Sequence, residues 1–313
     1  MIPSTLKPPA GRFPAQKRRR HVLIRRKATI CCLVVLLNSV VAVSQKPSSP
    51  TPESTGKARP EDHVFQSASL NRDMHYLVLL PRDYTGGRRF PVLYLLHGVY
   101  GDYKNWDTRT RLEAAAESLP LLIVMPDADD SWYTNSATKP ADKFEDYIAK
   151  DLISEIDGKY RTIRQKQSRA IAGLSMGGYG AVKLALKHPD LFAFAGSLSG
   201  AFNAAQNLDD LRPEFRTKLL EVFGPAGNRI RSENDIFLLL PGAHDDLYFY
   251  LACGADDFFR ETNRALAGQL SGRKIRYEYH ETPGGHDWGY WDSALTPMLE
   301  ALARNIDEAQ KQR

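Results

Sequence analysis

Three cysteines in 313 residues are too few to staple a fold, and two of them, Cys31 and Cys32, are adjacent near the N-terminus. The remainder keeps only Cys253, which excludes an intramolecular disulfide there and leaves the core to supply stability. Acid is missing from the first 44 residues, which carry nine Lys or Arg. No apolar run is long enough for a comfortable bilayer span: Ala28 to Val43 is about sixteen residues. Lys17 to Arg20 and Arg25 to Lys27 precede that run, and Ala42-Val43-Ser44 places small residues before Gln45. Cationic, apolar, then small is the order of a secretory signal, so residues 1–44 are expected to be a leader and the protein secreted or periplasmic. Retention as an N-terminal membrane anchor is the alternative, and no stable membrane span is expected after cleavage. Cys31 and Cys32 head the apolar run without small residues before them, which argues against lipid attachment.

A basic surface is also lacking once the leader is set aside. The whole chain has 42 basic and 37 acidic residues; without the nine of the leader, 33 face 37, a formal charge of −4. No basic stripe suited to neutralising phosphates remains, so nucleic acid is not an expected partner. Metal-ligand spacing is absent too: His97 has no second ligand at zinc spacing.

What is present is an alternation of short apolar strands and amphipathic helices. Residues 45–60, rich in Pro, Ser and Thr, read as a flexible tether. From 61 to 313 the chain is long enough for one well-buried domain. Strands are predicted at 74–80, 92–96, 121–125, 169–172, 194–198, 247–252 and 275–279. Helices are predicted at 112–117, 144–160, 179–188, 258–270 and from 293 to about 309. Continuously apolar strands such as Val92-Leu93-Tyr94-Leu95-Leu96 are expected where helices cover both faces of a mostly parallel sheet. The first pair of strands, with no helix between them, is expected to be antiparallel. The interval 201–246, with short helices at 213–223 and 233–240, reads as a small helical lid over the carboxyl ends of the strands.

Gly173-Leu174-Ser175-Met176-Gly177 lies where a strand turns sharply into a helix. A serine at such a bend is a nucleophile elbow, and the flanking glycines allow the close backbone approach that the bend requires. The pattern alone arises by chance in about one chain of this length in ten, so the partners decide its meaning. A serine hydroxyl needs a base, a group that orients the base, and donors for the oxyanion. His286, in Pro283-Gly284-Gly285-His286-Asp287-Trp288 after the last predicted strand, is the expected base, and His280 at the end of that strand is its competitor. Asp257 is preferred over Asp256 as the acid, because it stands past a strand end with room to curl back to the imidazole. Asp256 is expected instead to cap the following helix. The oxyanion donors are expected to be the N–H of Met176, at the helix N-terminus, and that of Val99 in the loop after Leu96. The order serine, aspartate, histidine is that of the α/β-hydrolases. Trp106, Trp132 and Tyr133, on loops after predicted strands, are expected to form an aromatic rim for a sugar or aryl group, with ordinary packing as the competing explanation.

Leu79-Leu80-Pro81-Arg82-Asp83-Tyr84, Phe90 to Gly98, Asn105-Trp106, Met125-Pro126, Ser131-Trp132-Tyr133-Thr134, Gly173 to Gly178 and Gly284 to Trp288 together resemble the esterase D-type family, over about Asp62 to Ala303. That family includes S-formylglutathione hydrolases, feruloyl and acetyl xylan esterases and antigen 85-type mycolyltransferases. The resemblance implies an α/β-hydrolase fold, Ser175 as nucleophile, His286 as base, an acid in the Asp256-Asp257 pair, and oxyanion donors Val99 and Met176. It implies no cofactor. The expected substrate is a small-molecule or glycan ester, and export fits poorly with a glutathione thioester. Acyl transfer to a sugar is the alternative reaction, and a non-catalytic carbohydrate-binding hydrolase fold is disfavoured by the intact Ser, His and Asp.

Overall fold

The computed structural model describes residues 60–84, 86–206, 208 and 213–311. The expected leader, and the tether up to residue 59, lie outside the described residues.

Eight strands form one sheet: β1 (Glu61–Ser67), β2 (Arg72–Leu79), β3 (Val92–Leu96), β4 (Leu122–Pro126), β5 (Arg169–Leu174), β6 (Phe194–Leu198), β7 (Tyr248–Gly254) and β8 (Tyr277–Thr282). Their spatial order is β1-β2-β4-β3-β5-β6-β7-β8. The strands from β4 to β8 in that order pair in parallel, while β2 runs antiparallel to both β1 and β4. The helices are α1 (Asn105–Arg109), α2 (Leu112–Ala116), α3 (Phe144–Asp146), α4 (Ile153–Lys159), α5 (Met176–Lys187), α6 (Pro213–Phe223), α7 (Arg229–Ser232), α8 (Ile236–Leu239), α9 (Arg260–Gly272) and α10 (Trp288–Lys311). A π-helical stretch, Tyr147–Leu152, joins α3 to α4 in one continuous helical run.

Period-two alternation divides the core. Val92, Tyr94 and Leu96 of β3 pack on one face with the 144–159 helical run, α5 and α9, whereas Leu93 and Leu95 pack on the other with α2 and α10. Because both faces are covered, β3, β4, β5 and β6 are buried throughout, the pattern expected of inner parallel strands.

Three expectations need correction. The first predicted pair does not pair: β3 lies between β4 and β5, and β2 reaches the sheet through β4. The reason is burial, since the wholly apolar β3 belongs inside the sheet while β2 begins with the exposed Arg72 and Asp73. Strand β1 escaped sequence analysis because Glu-Asp-His-Val-Phe-Gln-Ser is an edge strand needing only partial burial. The last strand, also an edge with alternating half-exposed residues, is shifted to Tyr277–Thr282. Helix α10 begins at Trp288 rather than 293, where the Asp287 side chain accepts the Tyr290 N–H at 3.0 Å.

Candidate active site

Ser175 stands between β5 and α5 at φ 53° and ψ −115°, a positive-φ conformation rare for a non-glycine residue. The bend is held by its backbone: its N–H donates to Leu198 O at 2.9 Å and its carbonyl accepts the Tyr179 N–H at 3.0 Å. Both flanking glycines are required by close approach. A Cβ on Gly173 would stand 2.5 Å from Gly177 C, and one on Gly177 would stand 2.4 Å from Leu96 O.

The loop after β8 brings His286 to this serine. Nε2 lies 3.0 Å from Ser175 Oγ, and Nδ1 lies 2.9 Å from Asp257 Oδ2. A carboxylate only accepts, so the proton sits on Nδ1 and Nε2 is left to accept the Ser175 hydroxyl. The imidazole is walled by Phe258, Phe259 and Trp291, with ring centroids 4.4, 5.3 and 5.0 Å away. His280 is not at the site and not at a strand end. It lies within β8, stacked on Tyr250 and 2.9 Å from Glu278.

Asp257 is buried, and its second oxygen, Oδ1, accepts the Phe259 N–H at 2.8 Å. Burial acts to raise its pKa, but hydrogen bonds from His286, the Phe259 N–H and Ser199 outweigh it and hold the carboxyl below the usual range. The cap expected of Asp256 is not made: Phe259 is the N-cap residue of α9 without a side-chain cap bond, Asp257 Oδ1 bonds only in the turn before the helix, and Asp256 is exposed. Cys253, beside this carboxylate, is an inert buried thiol, pushed up to about 12 mainly by burial.

The turn after β3 is closed by Gly101 N–H donating to Gly98 O at 3.1 Å, and the Tyr100 N–H is tied to Asp130 Oδ1 at 2.6 Å. The Val99 N–H between them has no protein acceptor among the described residues. Helical bonding in α5 starts with Tyr179, so the Met176 N–H likewise lacks an intrahelical acceptor. His97 ties two loops together: Nε2 accepts the Ala128 N–H at 3.0 Å, and Nδ1 meets Gly98 O at 2.8 Å. Among the described residues, no group of three or more His, Cys, Asp or Glu is arranged to hold a metal.

The expected aromatic rim is only partly at the site. Trp132 lines the cleft at Ser175. Trp106 and Tyr133 are instead packed in the interior, 1% and 0% exposed. Trp106 Nε1 donates to Leu96 O at 3.0 Å, and Tyr133 Oη donates to His97 O at 2.8 Å. Both rings brace the loops that carry Val99. Trp132 and Tyr133 share a strained turn, at φ 56° and 53°. It is clamped from α5 by Lys183 Nζ, which donates to Tyr133 O and to Thr134 Oγ1. The cleft encloses about 410 Å³, and the rings that do line it beside Trp132 are Tyr100, Phe215, Phe258, Phe259, Trp288 and Trp291. Sequence analysis missed these. Phe258 and Phe259 directly follow the aspartate pair, and Trp288 directly follows the His286 loop, a proximity that marks them.

A family model described as Esterase matches residues 67–302. An acetyl esterase of Caldicellulosiruptor saccharolyticus is 27% identical over 261 residues, spanning 78% of this chain and 97% of that protein. Esterase Rv1288 of Mycobacterium tuberculosis is 32% identical over 248 residues, 71% of this chain, and the match spans about half, 54%, of that longer relative. Among solved structures, FphF, a fluorophosphonate-binding serine hydrolase of Staphylococcus aureus in a substrate-bound form, is similar with a TM-score of 0.71 and 28% identity. That match covers 80% of this chain and 99% of the other.

Proposed function

The chain belongs to the Esterase family and is a carboxylic ester hydrolase, and on that premise we propose that it is an exported serine esterase working through Ser175, His286 and Asp257. The observation that carries this is the position of one imidazole between the other two side chains, 3.0 Å from Ser175 Oγ and 2.9 Å from Asp257 Oδ2. Ser175 Oγ attacks the ester carbonyl as His286 Nε2 takes its proton. The developing oxyanion is received by the N–H groups of Val99 and Met176, whose hydrogen-bonding capacity is unspent within the protein. His286 then hands the proton to the departing alcohol, and Asp257 steadies the imidazolium and its tautomer. Water, activated by the same imidazole, releases the acid from the acyl-enzyme.

Export rests on the composition of residues 1–44, and no helix among the described residues is long and apolar enough to cross a membrane. The aromatic wall of the cleft favours a sugar or aryl component in the ester. Transfer of the acyl group to a sugar hydroxyl would use the same triad. A panel of p-nitrophenyl esters of increasing chain length, with methyl ferulate and acetylated xylan, tests the substrate class. Product analysis with added sugar separates hydrolysis from transfer. Absence of turnover on every ester by the folded protein would overturn this proposal.

A further inference from the structure

Arg109, the last residue of α1, is exposed on the wall of the Ser175 cleft. Among the described residues lining that cleft it is the one permanently charged side chain, and none of them is Asp or Glu. Nearby cations are spoken for: Lys104 pairs with Asp62 at 3.2 Å, and Arg111 pairs with Asp292 at 2.9 Å. Among the described residues the Arg109 guanidinium has neither a hydrogen bond nor an ion pair nor a ring contact. An unpaired guanidinium on a cleft wall shared with aromatic rings, with no carboxylate among the described lining residues, biases the cleft toward negatively charged ligands, because apolar walls weaken solvent screening. Tyr100 and Phe258, 79% and 73% exposed, supply apolar surface of the kind that holds the body of such a ligand.

We propose that Arg109 is a specificity-determining residue that selects esters carrying a carboxylate or other anionic group away from the scissile bond. The proposal rests on ester hydrolysis at Ser175. The anion belongs to either the acyl or the alcohol half, and two matched pairs distinguish these: mono-p-nitrophenyl adipate against p-nitrophenyl hexanoate, and 4-acetoxybenzoate against phenyl acetate. In at least one pair the full-length protein should favour the anionic member in kcat/KM by about tenfold at low ionic strength, an interaction discounted for the exposure of the arginine. Added salt should erode that preference. Arg109→Gln should abolish it, and Arg109→Glu should turn it into discrimination against the anion. An anionic-to-neutral ratio that is the same in the original protein and in Arg109→Gln, for both pairs, overturns the proposal.

A binding measurement keeps the two proposals separable. Cinnamate and cinnamamide, titrated against the intrinsic fluorescence of Trp132, Trp288 and Trp291 on the cleft wall, differ in charge but little in shape. Cinnamate should bind more tightly than the amide to the original protein and equally to Arg109→Gln. Equal binding of both compounds by the original protein would sink the role of Arg109 even if neutral esters were hydrolysed. Failure of all hydrolysis with intact cinnamate preference would instead sink the esterase mechanism alone.

Discussion

The Asp257 carboxylate is divided between His286 and Phe259: Oδ2 meets the imidazole Nδ1 at 2.9 Å while Oδ1 accepts the Phe259 N–H at 2.8 Å. One side chain therefore orients the histidine and secures the backbone entering α9. Asp257→Asn should lower turnover by orders of magnitude through the wrong imidazole tautomer while its amide oxygen still accepts the Phe259 N–H, so the melting temperature should change little. Asp256→Asn, at an exposed position, should change neither. Turnover and melting temperature for the two variants check this, and a catalytic defect in the Asp256 variant would reassign the acid.

Ser175→Ala should reduce ester turnover by roughly three orders of magnitude or more. The strained backbone at this position is held by main-chain hydrogen bonds rather than by the hydroxyl, so circular dichroism should report a native fold. Undiminished turnover in that folded variant would exclude the mechanism.

His286→Ala should match the serine variant in damage, whereas His280→Ala should be nearly silent. The second imidazole pairs with Glu278 on an exposed edge strand and has no route to Ser175. Steady-state kinetics on both variants decides the matter, and a dead His280 variant would contradict the geometry.

Glu145 supplies a pH dependence. Burial would raise its pKa, but the charge of Lys183 and contacts with His188 and Lys187 hold it far below the ordinary range. A folded-state value below the unfolded one means that the unfolded chain binds the extra proton first. Stability is then fully present above about pH 5 and is lost as the pH falls through the unfolded value of about 4.3 toward the depressed one. Glu145→Gln should be less stable at neutral pH and show a flatter acid limb in denaturant titrations between about pH 5 and 2. An acid limb identical to that of the original protein would show that this network does not govern acid stability.

The sites legible from sequence were those carried by local geometry. Gly173, Ser175 and Gly177 mark the elbow because steric approach at a bend leaves few residue choices, and Gly284-Gly285-His286 marks the loop opposite for a similar reason. Apolar runs such as 92–96 and 194–198 matched strands residue for residue, since burial on both faces leaves no room for polar interruption. The edge strands β1 and β8 were missed or shifted because a half-exposed edge tolerates charge, so its pattern resembles that of a loop.

By itself, the sequence determined an alternating α/β body with Ser175 at a strand-to-helix elbow. These are consequences of hydrophobic period and of glycine sterics, both written in adjacent residues. Tertiary structure alone decided that β3 sits between β4 and β5, that Asp257 rather than Asp256 ties the turn before α9, and that Trp106 and Tyr133 brace loops rather than line the cleft. It also decided that Phe215, Phe258, Phe259 and Trp291 stand around the serine with Arg109 unpaired beside them. Each of those outcomes depends on which distant segments compete for the same space and the same hydrogen-bonding groups, a competition resolved only when the sheet and its loops are packed together.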